Sequence, residues 1–205
     1  MRELDEFDVL GLDRDKTVRE EDIQQAVSQN LPVTLTPDST IMLVQSGTLY
    51  PDGPMVAELS KHFRVVPFTG LATEKKPGTV PESAPEYSRT LRLAAARAGA
   101  KTVMCYWGIL ESGSEKFVTK TVSWLPLMNW VVPDERQHMR IRIKIALLDV
   151  PTGSWSVYSS EPLESKSWSV RSRREVADQK QVESIKKKAY ELAAQGLVTT
   201  YARPL

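Results

Sequence analysis

The sequence predicts an α/β fold, a mixed β-sheet flanked by helices, with a strand-helix-strand start, a central β-hairpin and a long C-terminal helix. Three stretches carry that prediction. From Met139 to Asp149 apolar and basic side chains alternate, with Met139, Ile141, Ile143, Ile145 and Leu147 set against Arg140, Arg142 and Lys144. Period-2 alternation places each set on its own face of a strand. Val150-Pro151-Thr152-Gly153 then turns the chain into a second alternating run, Ser154 to Ser159, so the pair reads as a hairpin with one dry face and one wet or bound face. Ser39 to Gln45 reads as a buried first strand, Pro51-Asp52-Gly53-Pro54 as a turn, Met55, Val56, Leu59 and Phe63 as helical spacing, and Arg64 to Phe68 as a second strand. Near the end, Val182, Ile185, Ala189, Leu192 and Tyr201 mark a long amphipathic helix whose Lys186-Lys187-Lys188 run lies mostly on its solvated side.

The remaining elements follow from punctuation. Residues 1–16 are acidic and weakly patterned, and read as a mobile or loosely docked arm. Thr17 with Glu20 three residues on is a capping box, and it opens a helix that Leu31-Pro32 ends. The chain thus divides into an N-terminal arm and helix, 1–38, and an α/β domain, 39–205. Gly70, Pro77, Gly78, Pro81 and Pro85 make Thr69 to Pro85 a long exposed loop. Pro85 to Ala98 is helical and capped by Gly99; a buried strand follows around Cys105, then another from Phe117 to Leu125. Between the hairpin and the last helix, Glu161 to Gln181 is a charged connection.

Composition limits the function classes. At 205 residues, one large domain or one domain with an extra N-terminal segment fits. Lys and Arg total 27 against 26 Asp and Glu, so no global field draws in nucleic acid. The lone Cys105 excludes an internal disulfide and a multi-cysteine zinc site, and its apolar setting makes it a core residue. No run approaches the ~18 apolar residues of a membrane span. With Met1 as a native start the protein is cytoplasmic; with a leader removed it is periplasmic or outer-membrane-associated.

Catalytic signatures are weak. His62 and His138 belong to no metal-ligand spacing, there is no Gly-x-Ser-x-Gly elbow, and the glycines are too sparse for a phosphate cradle. No metal or cofactor is therefore expected. A small, peptidase-like hydrolase whose residues meet only in three dimensions stays open as the alternative.

The strongest functional candidate is the connection from Val122 to Pro133, rich in apolar side chains and broken by proline. It either covers a sheet edge within the chain or forms a self-association or partner surface through Trp124, Leu125, Leu127, Met128, Trp130, Val131 and Val132. Arg140, Arg142 and Lys144 form a basic stripe, read either as a solvated strand face or as a patch for an anionic partner.

Three sequence pieces carry a resemblance: Phe63-Arg64-Val65-Val66-Pro67-Phe68 after a strand and a helix, an alanine-rich helix running through Ala98-Gly99-Ala100-Lys101-Thr102-Val103, and Leu147-Leu148-Asp149-Val150-Pro151-Thr152-Gly153 before a return strand. In this order the chain, from about residue 39 to 201, resembles the α/β envelope domain of the curli-secretion protein CsgG, the penicillin-binding-protein activator LpoB and the N-terminal domain of TolB. That resemblance implies a non-enzymatic protein-interaction module of the bacterial cell envelope, of lipoprotein type, with a protein partner or self-association and with membrane contact only through a lipid anchor outside the chain. The lipid-attachment cysteine of such proteins has no counterpart here, since Cys105 falls in a core strand.

Overall fold

The structure, a computed structural model, describes residues 2–29, 31–72, 84–113, 118–122, 138–165 and 175–202. Its elements are β1 (Arg2–Glu3), α1 (Glu6–Leu10), α2 (Glu20–Gln29), β2 (Thr40–Gln45), α3 (Gly53–Leu59), β3 (Arg64–Phe68), β4 (Leu71–Ala72) and α4 (Ala84–Arg97). There follow β5 (Thr102–Gly113), β6 (Val118–Val122), β7 (His138–Asp149), β8 (Trp155–Ser159), β9 (Leu163–Ser165) and α5 (Glu175–Tyr201). The main sheet runs β3-β2-β5-β7-β8, with β6 added to β5 and β9 to β7. β2 is parallel to β3 and β5, whereas β7 is antiparallel to β5 and β8, so the sheet is mixed as expected.

Alternate residues of each central strand enter different cores. Ile41, Leu43, Met104, Tyr106, Ile143, Ile145 and Leu147 face α3 and α5. Met42, Val44, Val103, Cys105, Trp107, Ala146 and Leu148 face α1 and α4. Burial on both sides is why β2 reads as an uninterrupted apolar run rather than an alternation. The same geometry corrects the hairpin. Its second face is wet only in part, because Ala146 and Leu148 lie under helices while Arg140, Arg142 and Lys144 occupy the half beyond them. The hairpin turn forms at the expected place, with Gly153 at φ 76° donating its N–H to Asp149 O at 2.9 Å.

Three further expectations change. Helix α2 begins at Glu20 rather than after Thr17, because the Arg19 N–H bonds Asp22 Oδ2 at 3.0 Å and makes Arg19 the cap. The start of the Thr69–Pro85 loop is a short strand, β4, paired with β1 (Arg2↔Ala72, Glu3↔Leu71). Along α5 the buried stripe is Ala189, Tyr190, Ala193, Ala194 and Leu197, while Leu192 is exposed and Lys186 is half-buried.

Residues 2–10 are not a loosely docked arm. Leu4, Val9 and Leu10 are buried in the second core, and the Leu4 carbonyl accepts from Ser46 Oγ at 2.7 Å and Trp107 Nε1 at 2.9 Å. Asp5 and Asp8 form a capping box for α1, and Gly11 ends it in the left-handed region. Arg2 grips Asp8 with both terminal nitrogens, at 2.5 and 2.6 Å. Burial pushes the Asp8 carboxyl up, but Arg2 and the Asp5 N–H outweigh it and hold it below its ordinary value of 3.8. A depressed folded value means that this contribution is complete above the ordinary value and disappears as pH falls through the folded one. Asp8→Asn is therefore expected to be less stable than wild type at neutral pH, with the gap closing as pH falls below the ordinary carboxyl value of 3.8. Urea midpoints measured over that fall in pH check it; a constant gap would show that Asp8 is not the titrating group.

Candidate functional site

Two features stand out once the fold is built. The first lies at the carboxyl end of β2. The β2-α3-β3 connection crosses one face of the sheet and β3-α4-β5 crosses the other, so β2 and β5 flank a topological switch point, where open α/β sheets usually bind ligands. Here the chain fills the position with its own side chains. Gln45 ends β2, and its Oε1 accepts from the Tyr106 hydroxyl at 2.6 Å and from the Asp52 N–H at 2.7 Å. Asp52 precedes α3, whose first residues include a proline with no N–H to satisfy. The carboxylate oxygen Asp52 Oδ2 accepts from Tyr190 at 2.5 Å and Gln45 Nε2 at 3.2 Å, and pairs with Lys186 Nζ at 2.5 Å. The Tyr106 and Tyr190 rings meet edge to face at 5.8 Å.

This arrangement favours a latch over acid–base chemistry. Burial first, and then neighbouring groups including the Asp52 charge, drive the Tyr106 and Tyr190 phenols far up. Both remain neutral hydrogen-bond donors, so α5 is fastened to the end of β2 through Asp52. Below them Cys105 is fully buried and its thiol is likewise pushed up by burial, as suits an inert core residue. His62 sits in the turn before β3 with its ring tilted against Phe63. Among the described residues no three His, Cys, Asp or Glu side chains are grouped to hold a metal ion.

The second feature is α2. Ile23 and Val27 are four residues apart and share one helix face, with Val18 before and Leu31 after them. All four are exposed, Val18 at 63% and Val27 at 69%. A ten-residue helix is marginal in water without tertiary packing, and α2 relies on local devices. Glu20, Glu21 and Asp22 complement its N-terminal dipole, and Gln24 donates to Glu20 at 3.1 Å.

A model of the YafT bacterial lipoproteins matches residues 5–200. The chain belongs to that family. No curated protein matches it. Membership of the YafT family supports association with the bacterial envelope, and no helix among the described residues is long and apolar enough to cross a membrane.

The structure describes only some of the residues expected to form the site in this YafT lipoprotein. Trp124, Leu125, Leu127, Met128, Trp130, Val131 and Val132 lie outside the described residues. Arg140, Arg142 and Lys144 are half-buried on one face of β7. Lys144 pairs with Glu6 of α1 at 2.5 Å, and Arg140 stands in register between Glu111 of β5 and Glu164 of β9. Sequence reading missed the latch, although a glutamine closing an apolar strand and an aspartate inside a Pro-Asp-Gly-Pro turn were both visible. Tyr190, one residue beyond the assumed apolar stripe, was the missing partner.

Proposed function

We propose that this lipoprotein is a non-enzymatic protein-interaction module of the bacterial cell envelope. The observation that carries the reading is the uncovered apolar face of α2, Ile23 and Val27, continued by exposed Val18 before the helix and Leu31 after it, on a helix so short that it gains from burying that face against a partner. A second support is the switch point, where the chain's own hydrogen-bonded side chains take the place of a ligand. The strand-helix order that resembles CsgG, LpoB and TolB agrees with a docking role, and Trp124 and Trp130 remain proposed anchors of a further contact or of self-association.

The test is site-specific photocrosslinking in living cells. A benzoyl-phenylalanine at Val27 is expected to give a discrete adduct in the envelope fraction, whereas one at Gln25, elsewhere around the helix, is not. Ile23→Ser should reduce the Val27 adduct about tenfold, the effect of losing one buried aliphatic anchor. Equal labelling at both positions would overturn the α2 assignment. For self-association, Trp124→Ala with Trp130→Ala should lower the mass seen by light scattering while the circular dichroism stays that of the folded domain.

A further inference from the structure

We propose that the pole of the domain where the chain begins faces a phospholipid membrane, with Leu49 and Tyr50 entering the lipid interface. This rests on the lipoprotein reading, because an acyl anchor joined upstream would emerge at that pole.

The two ends of the chain lie at opposite poles. Arg2 and Glu3 pair with β4, and Leu4 is held by Ser46 and Trp107, beyond the carboxyl end of β2. The other end of the chain lies beside the start of β2: the Tyr201 carbonyl accepts from the Leu35 N–H at 2.9 Å, and Leu35 bridges Ala202. A molecule anchored from its N-terminus would therefore present the loop between β2 and α3 to the lipid.

That loop has suitable chemistry. Leu49 and Tyr50 are 69% and 65% exposed, although they sit on a base that is firmly tied. Gly47 donates to Gly70 O at 3.0 Å, Gly70 donates to Thr48 O at 2.8 Å, and the single Thr48 hydroxyl proton is shared between Tyr50 O at 3.0 Å and Gln45 O at 3.2 Å. Ser46 to Pro51 carries no charge. Among the described residues, the neighbouring charges Arg2 and Asp52 are paired with Asp8 and Lys186, and Glu3 is exposed. Tyrosine suits a headgroup region because its ring is apolar and its hydroxyl polar, and leucine suits the adjoining acyl boundary. Two such side chains bind lipid feebly alone, but a tether raises their effective concentration, and one acyl signal is usually supplemented by a second.

The test uses the full chain with an N-terminal polyhistidine tag on vesicles of phosphatidylethanolamine and phosphatidylglycerol containing a nickel-chelating lipid. Tyr50→Cys carries the environment-sensitive fluorophore NBD; buried Cys105, with its raised thiol, is spared. Tethering is expected to shift NBD emission to the blue and brighten it about twofold, with little change in ~0.5 M salt because the contact is apolar. NBD at Lys101→Cys, at the opposite pole, should stay unchanged, as should NBD at position 50 when the tag is C-terminal. No shift at position 50, or equal shifts at 50 and 101, would overturn the proposal. Either result leaves the Val27 crosslink untouched, so the failure of this orientation is distinguishable from the failure of the interaction role.

Discussion

Replacing Gly70 with alanine is expected to destabilise the domain by about 3 kcal/mol, the upper range for forced overpacking. A Cβ at Gly70 would lie 1.6 Å from the Gln45 carbonyl oxygen and 2.4 Å from its carbon. Both are backbone atoms of the last residue of β2, so relief needs movement of β2 itself or loss of the Gly47–Gly70–Thr48 bonds. Gly196→Ala is the comparison. Its Cβ would lie 1.9 Å from the Tyr158 hydroxyl, but that atom is the far end of a half-buried side chain that can turn aside. Its cost should be about 1 kcal/mol. Thermal midpoints should then drop by roughly 6–12 °C for Gly70→Ala and by roughly 2–4 °C for Gly196→Ala, given the chain length. Equal losses would mean that the β2–Gly70 contact does not constrain the fold.

Asp52→Ala should cost about 3 kcal/mol, because it strips a shared acceptor from Tyr190, Gln45 and Lys186 and leaves buried donors behind. Tyr190→Phe removes a single donor and should cost about 1 kcal/mol. The double variant is expected to lose at least ~0.5 kcal/mol less than the sum, since both changes break the same bond. Denaturant midpoints with unchanged slopes measure the cycle. Strict additivity would dissolve the latch into independent contacts. With Asp52 gone, amide exchange should also quicken through residues 46–52 while the centre of β7 stays protected, separating local loosening from global unfolding.

The sheet was legible because its signals are local. Period 2 in Met139–Leu147, the apolar run Ile41–Val44 and the Thr152-Gly153 turn each depend on a few neighbouring residues, and each lands where expected. The errors have a common source in distant contacts. Residues 2–10 have no useful periodicity, and their helix spans five residues, so only the partners Ser46, Trp107 and Lys144 reveal that they are fixed. The switch-point latch is likewise a meeting of residues from β2, β5, α5 and the residue before α3, and no spacing within one segment encodes it. In α2 the amphipathic pattern was real, but a pattern of apolar residues says only that a face seeks cover. It does not say whether the cover belongs to the same molecule, and Val18, Ile23, Val27 and Leu31 are exposed.

The bond from Trp107 to the Leu4 carbonyl also sets an order of events. Its two residues are 103 positions apart, and the Lys144–Glu6 pair spans 138. In a chain synthesised from its N-terminus, residues 2–10 are made well before the strand from the middle of the sequence that supplies their seat. Loop closure over such separations comes late compared with a hairpin such as β7–β8. During that interval the leading segment is still accessible, and completion of the sheet then withdraws it.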